Sequence, residues 1–119
     1  IKNIFQGQNA IGPTAAATTI RVEIRNGTQV PGLASRYQTE LELINYEVIK
    51  TGNAPDQTLA KTIVYKITGL DRTDAENFLS KKFNTAIIHD QIPDWIKNEV
   101  SPEVDFFIIL GQDSNLPVK

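Results

Sequence analysis

The chain has 119 residues, 40% apolar and 22% charged, the length and balance of a single globular domain with one core. Twelve Lys and Arg against fourteen Asp and Glu leave a formal charge of −2 with neither sign gathered into a block, which speaks against the basic face of a nucleic-acid binder, and no apolar run approaches the roughly 20 residues of a membrane-spanning helix. The absence of cysteine excludes disulfides, thiol catalysis and thiolate metal sites while leaving the redox compartment open.

Residues 6–19, QGQNAIGPTAAATT, hold one large apolar residue and read as a linker. The expected boundaries are a linker and upstream tail over 1–18, a domain over 19–115 and a C-terminal tail over 116–119. Met is absent even at position 1, so the sequence reads as an excised piece or a processed product, with IKNIF as the tail of a preceding element. In TIRVEIR, Ile20, Val22 and Ile24 alternate with Arg21, Glu23 and Arg25, the two-residue period of a strand with one buried and one polar face. From Val30 the period lengthens. Leu33, Ala34, Tyr37, Leu41 and Ile44 make a helical stripe, with Pro31 suited to a first turn.

YEVIKTG and KTIVYKIT read as two strands separated by the turn-rich NAPDQTLA. Thr73 and Glu76 have capping-box spacing ahead of a second stripe of Ala75, Phe78, Leu79 and Phe83, with Lys81 and Lys82 placed for the last turn. TAIIHD is a short strand, IPDWIKNEV a turn or single helical turn, and DFFIILG a strand whose apolar residues do not alternate. Such a strand belongs inside a sheet or under cover on both faces. The expected fold is therefore α/β (α+β): a two-layer sandwich with a mixed sheet of four or five strands and two helices on one face, βαββαβ-like with an added C-terminal strand. The opposite face, carrying Arg21, Glu23 and Arg25, is expected to be at least partly open to water.

Catalytic templates fail: no G-x-S-x-G elbow, H-E-x-x-H, P-loop or G-x-G-x-x-G is present, and His89 is the lone histidine. His89 reads as a strand-end surface residue. The acids Asp90, Asp94, Asp105 and Asp113 have no calcium-loop spacing, so neither a metal nor another cofactor is expected, and no residue is assigned a catalytic role. The junction NGTQVPGLA is the better candidate. Asn26 and Gly27 tolerate positive φ, Thr28 suits a cap, and the following helix N-terminus offers free N–H groups to a phosphate or carboxylate. Equally, any strand-to-helix turn needs such residues, and Gly32 reads as a point of close approach between helix and strand. If the last strand runs parallel to the first, GQDSN ends on the same sheet edge. The tentative ligand set is then Arg25, Asn26, Gly27, Thr28, Gln112 and Asp113. Trp95 reads as a core plug in preference to a sugar platform.

IRVEIRNGTQVPGLASRYQTEL, YEVIKTGNA, TIVYKI and DFFIILGQD together resemble the C-terminal domain of LytR-CpsA-Psr cell-envelope proteins, the LytR C-terminal domain family. The resemblance covers about residues 19 to 114 and departs at INYEV, where the family has a Leu-Gly-aromatic turn and Asn45 can serve by adopting the left-handed conformation. It implies a bacterial domain tethered outside the cytoplasmic membrane through a segment absent from this chain. It also implies that any transfer of anionic polymers to peptidoglycan belongs to a separate catalytic domain. The expected function is a non-catalytic accessory domain that binds cell-wall glycan or an envelope protein of wall assembly, with no nucleic-acid partner. The alternative is a structural domain that dimerises through an open sheet face or supports a phosphotransferase neighbour.

Overall fold

The computed structural model describes residues 19–114. Its sheet holds β1 (Arg21–Asn26), β2 (Glu47–Asn53), β3 (Ile63–Lys66), β4 (Ile87–Ile88) and β5 (Phe106–Leu110), in the order β2-β1-β5-β3-β4. Helices α1 (Leu33–Glu42), α2 (Thr73–Phe83) and α3 (Asp94–Glu99) lie between strands, and a 3-10 turn, Gln112–Ser114, follows β5. Strand β1 pairs in parallel with both β2 and β5, while β3 pairs in parallel with β4 and antiparallel with β5. The α+β class, the mixed sheet and the order of elements are as the sequence predicts. A split βαββαβ sheet would place another strand between β1 and β2; here the two are direct neighbours, so the chain makes two βαβ units bridged by β5.

Handedness fixes where the helices go. Strand β3 runs opposite to β1, and its unit steps toward the opposite edge of the sheet, so two right-handed crossovers bring α1 and α2 to the same face. There Leu33 and Leu41 of α1 and Ala75, Leu79 and Phe83 of α2 pack on Val22, Ile24, Val64, Phe106, Ile108 and Leu110. All five residues of β5 are buried, which is why its sequence is apolar at both parities.

The other face differs from expectation. It is covered, not open: α3 and the segment between β2 and β3 lay Ile96, Trp95, Leu59 and Ala54 over Tyr65, Phe107 and Ile109. Beneath this cover Glu23 is 1% and Arg25 7% exposed. Arg25 Nε donates to Glu23 Oε2 at 2.8 Å, Arg25 Nη2 lies 3.2 Å from Glu99 Oε1, and the guanidinium carbon sits 5.5 Å from the Phe107 ring centre. Pairing allows the two charges to be buried; an isolated one would be prohibitive. Of the charged face, only Arg21 stays exposed, beside Glu47 at 3.1 Å. Trp95 meets Phe107 edge-on with ring centres 5.6 Å apart, as a plug does.

Strand β2 ends the sheet. Its register with β1 passes from Val48 to Lys50 and leaves out Ile49, and this bulge, with Lys50 exposed beside it, blunts the edge against pairing with another strand.

Several expected turn roles shift. Gly32 caps α1 with φ 76°, and a Cβ there would meet nothing within 4 Å, so the glycine serves backbone conformation and not close approach. Replacing Gly32 by Ala should cost only the left-handed penalty, about 1–2 kcal/mol, read in calorimetry as a melting point lower by roughly 4–8 °C per kcal/mol. Asn45 ends the α1 region with φ 69°, as INYEV requires. Thr73 and Glu76 do open α2, but without a capping box. Asp71 Oδ1 accepts from Thr73 N at 3.1 Å and from Thr73 Oγ1 at 2.6 Å, which leaves the Glu76 carboxylate for other partners.

Candidate functional site

The NGT corner is closed on itself. Asn26 Oδ1 accepts from Thr28 N at 2.9 Å and Thr28 Oγ1 at 2.6 Å, Asn26 Nδ2 donates to Val30 O at 2.8 Å, and Thr28 Oγ1 accepts from Val30 N at 3.1 Å. Thr28 therefore holds the loop and caps no helix. Asn26, Gly27 and Thr28 are all buried, since their backbones tie neighbouring segments: Gly27 N donates to Leu110 O at 2.9 Å, while Ala54 N and Leu59 N donate to Asn26 O and Gly27 O, both at 3.0 Å.

Parallel pairing does bring the end of β5 to the same edge, as the sequence-based geometry requires, with Asn26 opposite Leu110. What lies across that edge is protein. Asp113 Oδ1 accepts from Thr62 N at 2.9 Å and Thr62 Oγ1 at 2.8 Å, Gln112 N donates to Leu59 O and Asp113 N to Ala60 O. Of the six tentative ligand residues, Arg25 is committed to the covered face, Asn26, Gly27 and Thr28 to the corner, and Asp113 to Thr62. Only the side chain of Gln112 stands exposed.

A polar cluster that sequence spacing did not disclose joins α2 to the sheet. Glu76 Oε1 lies 2.6 Å from His89 Nε2 and Glu76 Oε2 lies 3.2 Å from Lys66 Nζ. His89 is exposed at a strand end, as read, and has this one carboxylate partner. The hydrogen bond to His89 first, and Lys66 second, hold the Glu76 carboxyl below its ordinary range. A carboxylate whose value is lowered by folding adds stability above its unfolded value and loses it as pH falls through the folded one. Glu76→Gln should therefore lower the urea midpoint at about pH 6 and leave a narrower gap from the parent at about pH 3, below the ordinary carboxylate value.

The accessible concavity lies at the other end of the strands, where β1 begins. A groove of about 750 Å³ is lined by Ile20, Ile44, Tyr46, Ala75 and Phe78, with Asp71, Arg72, Thr73 and Asp74 beside them. Ile44 and Phe78, read from their stripes as core, are 43% and 39% exposed, and Leu43 and Leu70 are the other exposed large apolar side chains. The reason for Ile44 is that α1 stops at Glu42, so the stripe outruns its helix. A neighbouring depression of about 390 Å³ carries Thr19, Leu70 and Arg72. No sequence signal marks this groove, because its walls come from three separated segments.

Comparison with known proteins decides the family. A family model described as LytR cell envelope-related transcriptional attenuator, LytR_C, matches residues 19–113. The chain belongs to the LytR_C family. No curated protein and no solved structure matches it. The LytR_C domain is a cell-envelope-associated, C-terminal and generally non-catalytic domain. Among the described residues of this LytR_C domain, no helix is long and apolar enough to cross a membrane, and no three His, Asp or Glu side chains are grouped to hold a metal.

Proposed function

We propose that this LytR_C domain is a non-catalytic accessory module, held outside the cytoplasmic membrane of a bacterium by a segment upstream, that docks a protein segment of the wall-assembly machinery. The observation that carries this reading is that Ile44 and Phe78, two of the exposed large apolar side chains among the described residues, line the groove, while a third, Leu70, lines the depression beside it. Exposed apolar side chains lining a groove of this kind mark an interaction site. Glycan recognition through the NGT edge has less support, because Asn26, Thr28 and Asp113 spend their polar groups on one another's loops and Trp95 packs against Phe107 in the second core cluster. Dimerisation through the face of Glu23 and Arg25 has no surface to use, since α3 covers it.

Photo-crosslinking in cells tests the reading. A photoreactive residue in place of Leu43, which is 78% exposed, should give a discrete protein adduct in the full-length protein, abolished by Phe78→Asp and absent from a probe at exposed Lys97. Soluble peptidoglycan fragments should leave the amide resonances of Asn26, Thr28 and Gln112 unshifted. Saturable shifts there, with no adduct from Leu43, would restore the glycan reading and overturn this one.

A further inference from the structure

The groove has a candidate occupant within the chain itself. The described fold begins at Thr19, which lines the smaller depression, and continues into Ile20, which lines the groove. Whatever precedes Thr19 therefore starts at the groove's lip. Residues 1–5, Ile-Lys-Asn-Ile-Phe, lie outside the described residues and carry three large apolar side chains in five positions. Ile1, Ile4 and Phe5 stand three and four apart, a spacing that presents one apolar edge when a short segment coils against a surface.

Length permits the contact. Fourteen residue steps separate Phe5 from Thr19; a flexible chain of that length spans about 20 Å on average, and about 46 Å at full extension. A tether of that length holds the segment at an effective concentration of order millimolar, so a weak intrinsic affinity suffices.

Charge favours the same occupant. Asp71 and Asp74 stand beside the groove, and the cation between them in sequence, Arg72, is turned toward Asp105, its Nε 3.5 Å from Oδ1. The rim is thus net acidic, and Lys2 is the one charge in residues 1–5. A second copy fits less well, because a two-fold contact would set the same acidic rim against itself.

We propose that residues 1–5 of this chain dock in the groove between the end of α1 and the start of α2, with Ile1, Ile4 and Phe5 against Ile44, Tyr46 and Phe78 and Lys2 at the acidic rim. The proposal rests on the reading of this end as a docking surface and names its first occupant. Docking there fixes the domain's orientation to whatever lies upstream.

The absence of cysteine makes the test clean. Asn3→Cys supplies a single point for a nitroxide label on the full 119-residue chain, at a position outside the described residues. Amide signals of Ile44, Tyr46, Ala75 and Phe78 should broaden at low protein concentration, recover when the nitroxide is reduced, and stay sharp when Ile4→Asp and Phe5→Asp are added. Broadening seen only when unlabelled ¹⁵N protein is mixed with spin-labelled ¹⁴N protein would assign the groove to a second copy and overturn the proposal. Sharp groove signals in every sample would also overturn it. Neither of those outcomes touches the wider docking reading, which the crosslink from Leu43 decides separately.

Discussion

Gly111→Ala should abolish the native fold or come close to it, whereas Gly69→Ala should not be felt. A methyl group on Gly111 would lie 2.3 Å from the Lys61 carbonyl carbon and 2.6 and 2.7 Å from that residue's O and N. All three are backbone atoms, so no rotamer change makes room. Relief requires moving the segment that ends in Thr62 away from the end of β5, and that segment is fastened there by Gln112 N to Leu59 O, Asp113 N to Ala60 O, and Thr62 to Asp113 Oδ1. Overpacking costs about 1–3 kcal/mol where side chains can adjust; here about 3 kcal/mol or more is expected, which for a domain of this size lowers the melting point by roughly 12 °C or more. Gly27→Ala should fall between, since its methyl meets one backbone oxygen, Leu110 O at 2.7 Å, but otherwise the movable side chains of Leu59 and Ile109. A Cβ on Gly69 meets nothing within 4 Å. Calorimetry on the three variants checks the ranking, and a Gly111→Ala protein melting within a few degrees of the parent would show that the corner is looser than its geometry.

Local signals carried much of this fold. Alternation in TIRVEIR, the stripe of α1, the stripe of α2 and the unbroken apolar run of β5 each depend on neighbours in sequence, and each predicted element is present. Long-range cover was harder to see. Glu23 and Arg25 read as wet because each is charged, yet two residues apart on a strand they share a face and can pair with each other. What lies over them comes from Ala54, Leu59 and α3, distant in sequence. A signal existed in Tyr65, Phe107 and Ile109, which have the parity of that face and could not all be left in water. At the NGT corner the turn chemistry was legible and its purpose ambiguous, because the groups that would hold an anion are the ones Asn and Thr side chains use to hold their own loop.

These two misreadings bear on function together. The face expected to meet a partner is core, and the edge expected to meet a ligand is a seam between loops. The opposite end, beside Thr19 and Ile20, is where Ile44 and Phe78 stay half-exposed, because α1 stops at Glu42 and, among the described residues, no helix packs across the start of α2.

The buried pair on the second face gives a prediction with a direction that depends on how it is broken. Glu23→Ala leaves the Arg25 guanidinium under α3 with Glu99, itself half-exposed, as its remaining carboxylate, and Arg25→Ala leaves Glu23, 1% exposed, with no countercharge on the strand. Removing one member of a buried pair costs about 3–5 kcal/mol, a large share of the roughly 5–15 kcal/mol that holds a domain together. Arg25→Glu is worse, because it adds a third carboxylate beside Glu23 and Glu99, so loss of any self-association in that variant would report unfolding and not an interface. Replacing both, Glu23→Leu with Arg25→Met, removes the desolvation cost along with the attraction and should come within about 1 kcal/mol of the parent or exceed it. Urea denaturation of the two Ala variants measures each cost, and a cycle of Glu23→Leu, Arg25→Met and their double variant measures the coupling directly. If Glu23→Ala and Arg25→Ala each cost under about 1 kcal/mol, the usual worth of an exposed pair, water reaches the pair, and α3 is a lid on that face and no part of the core.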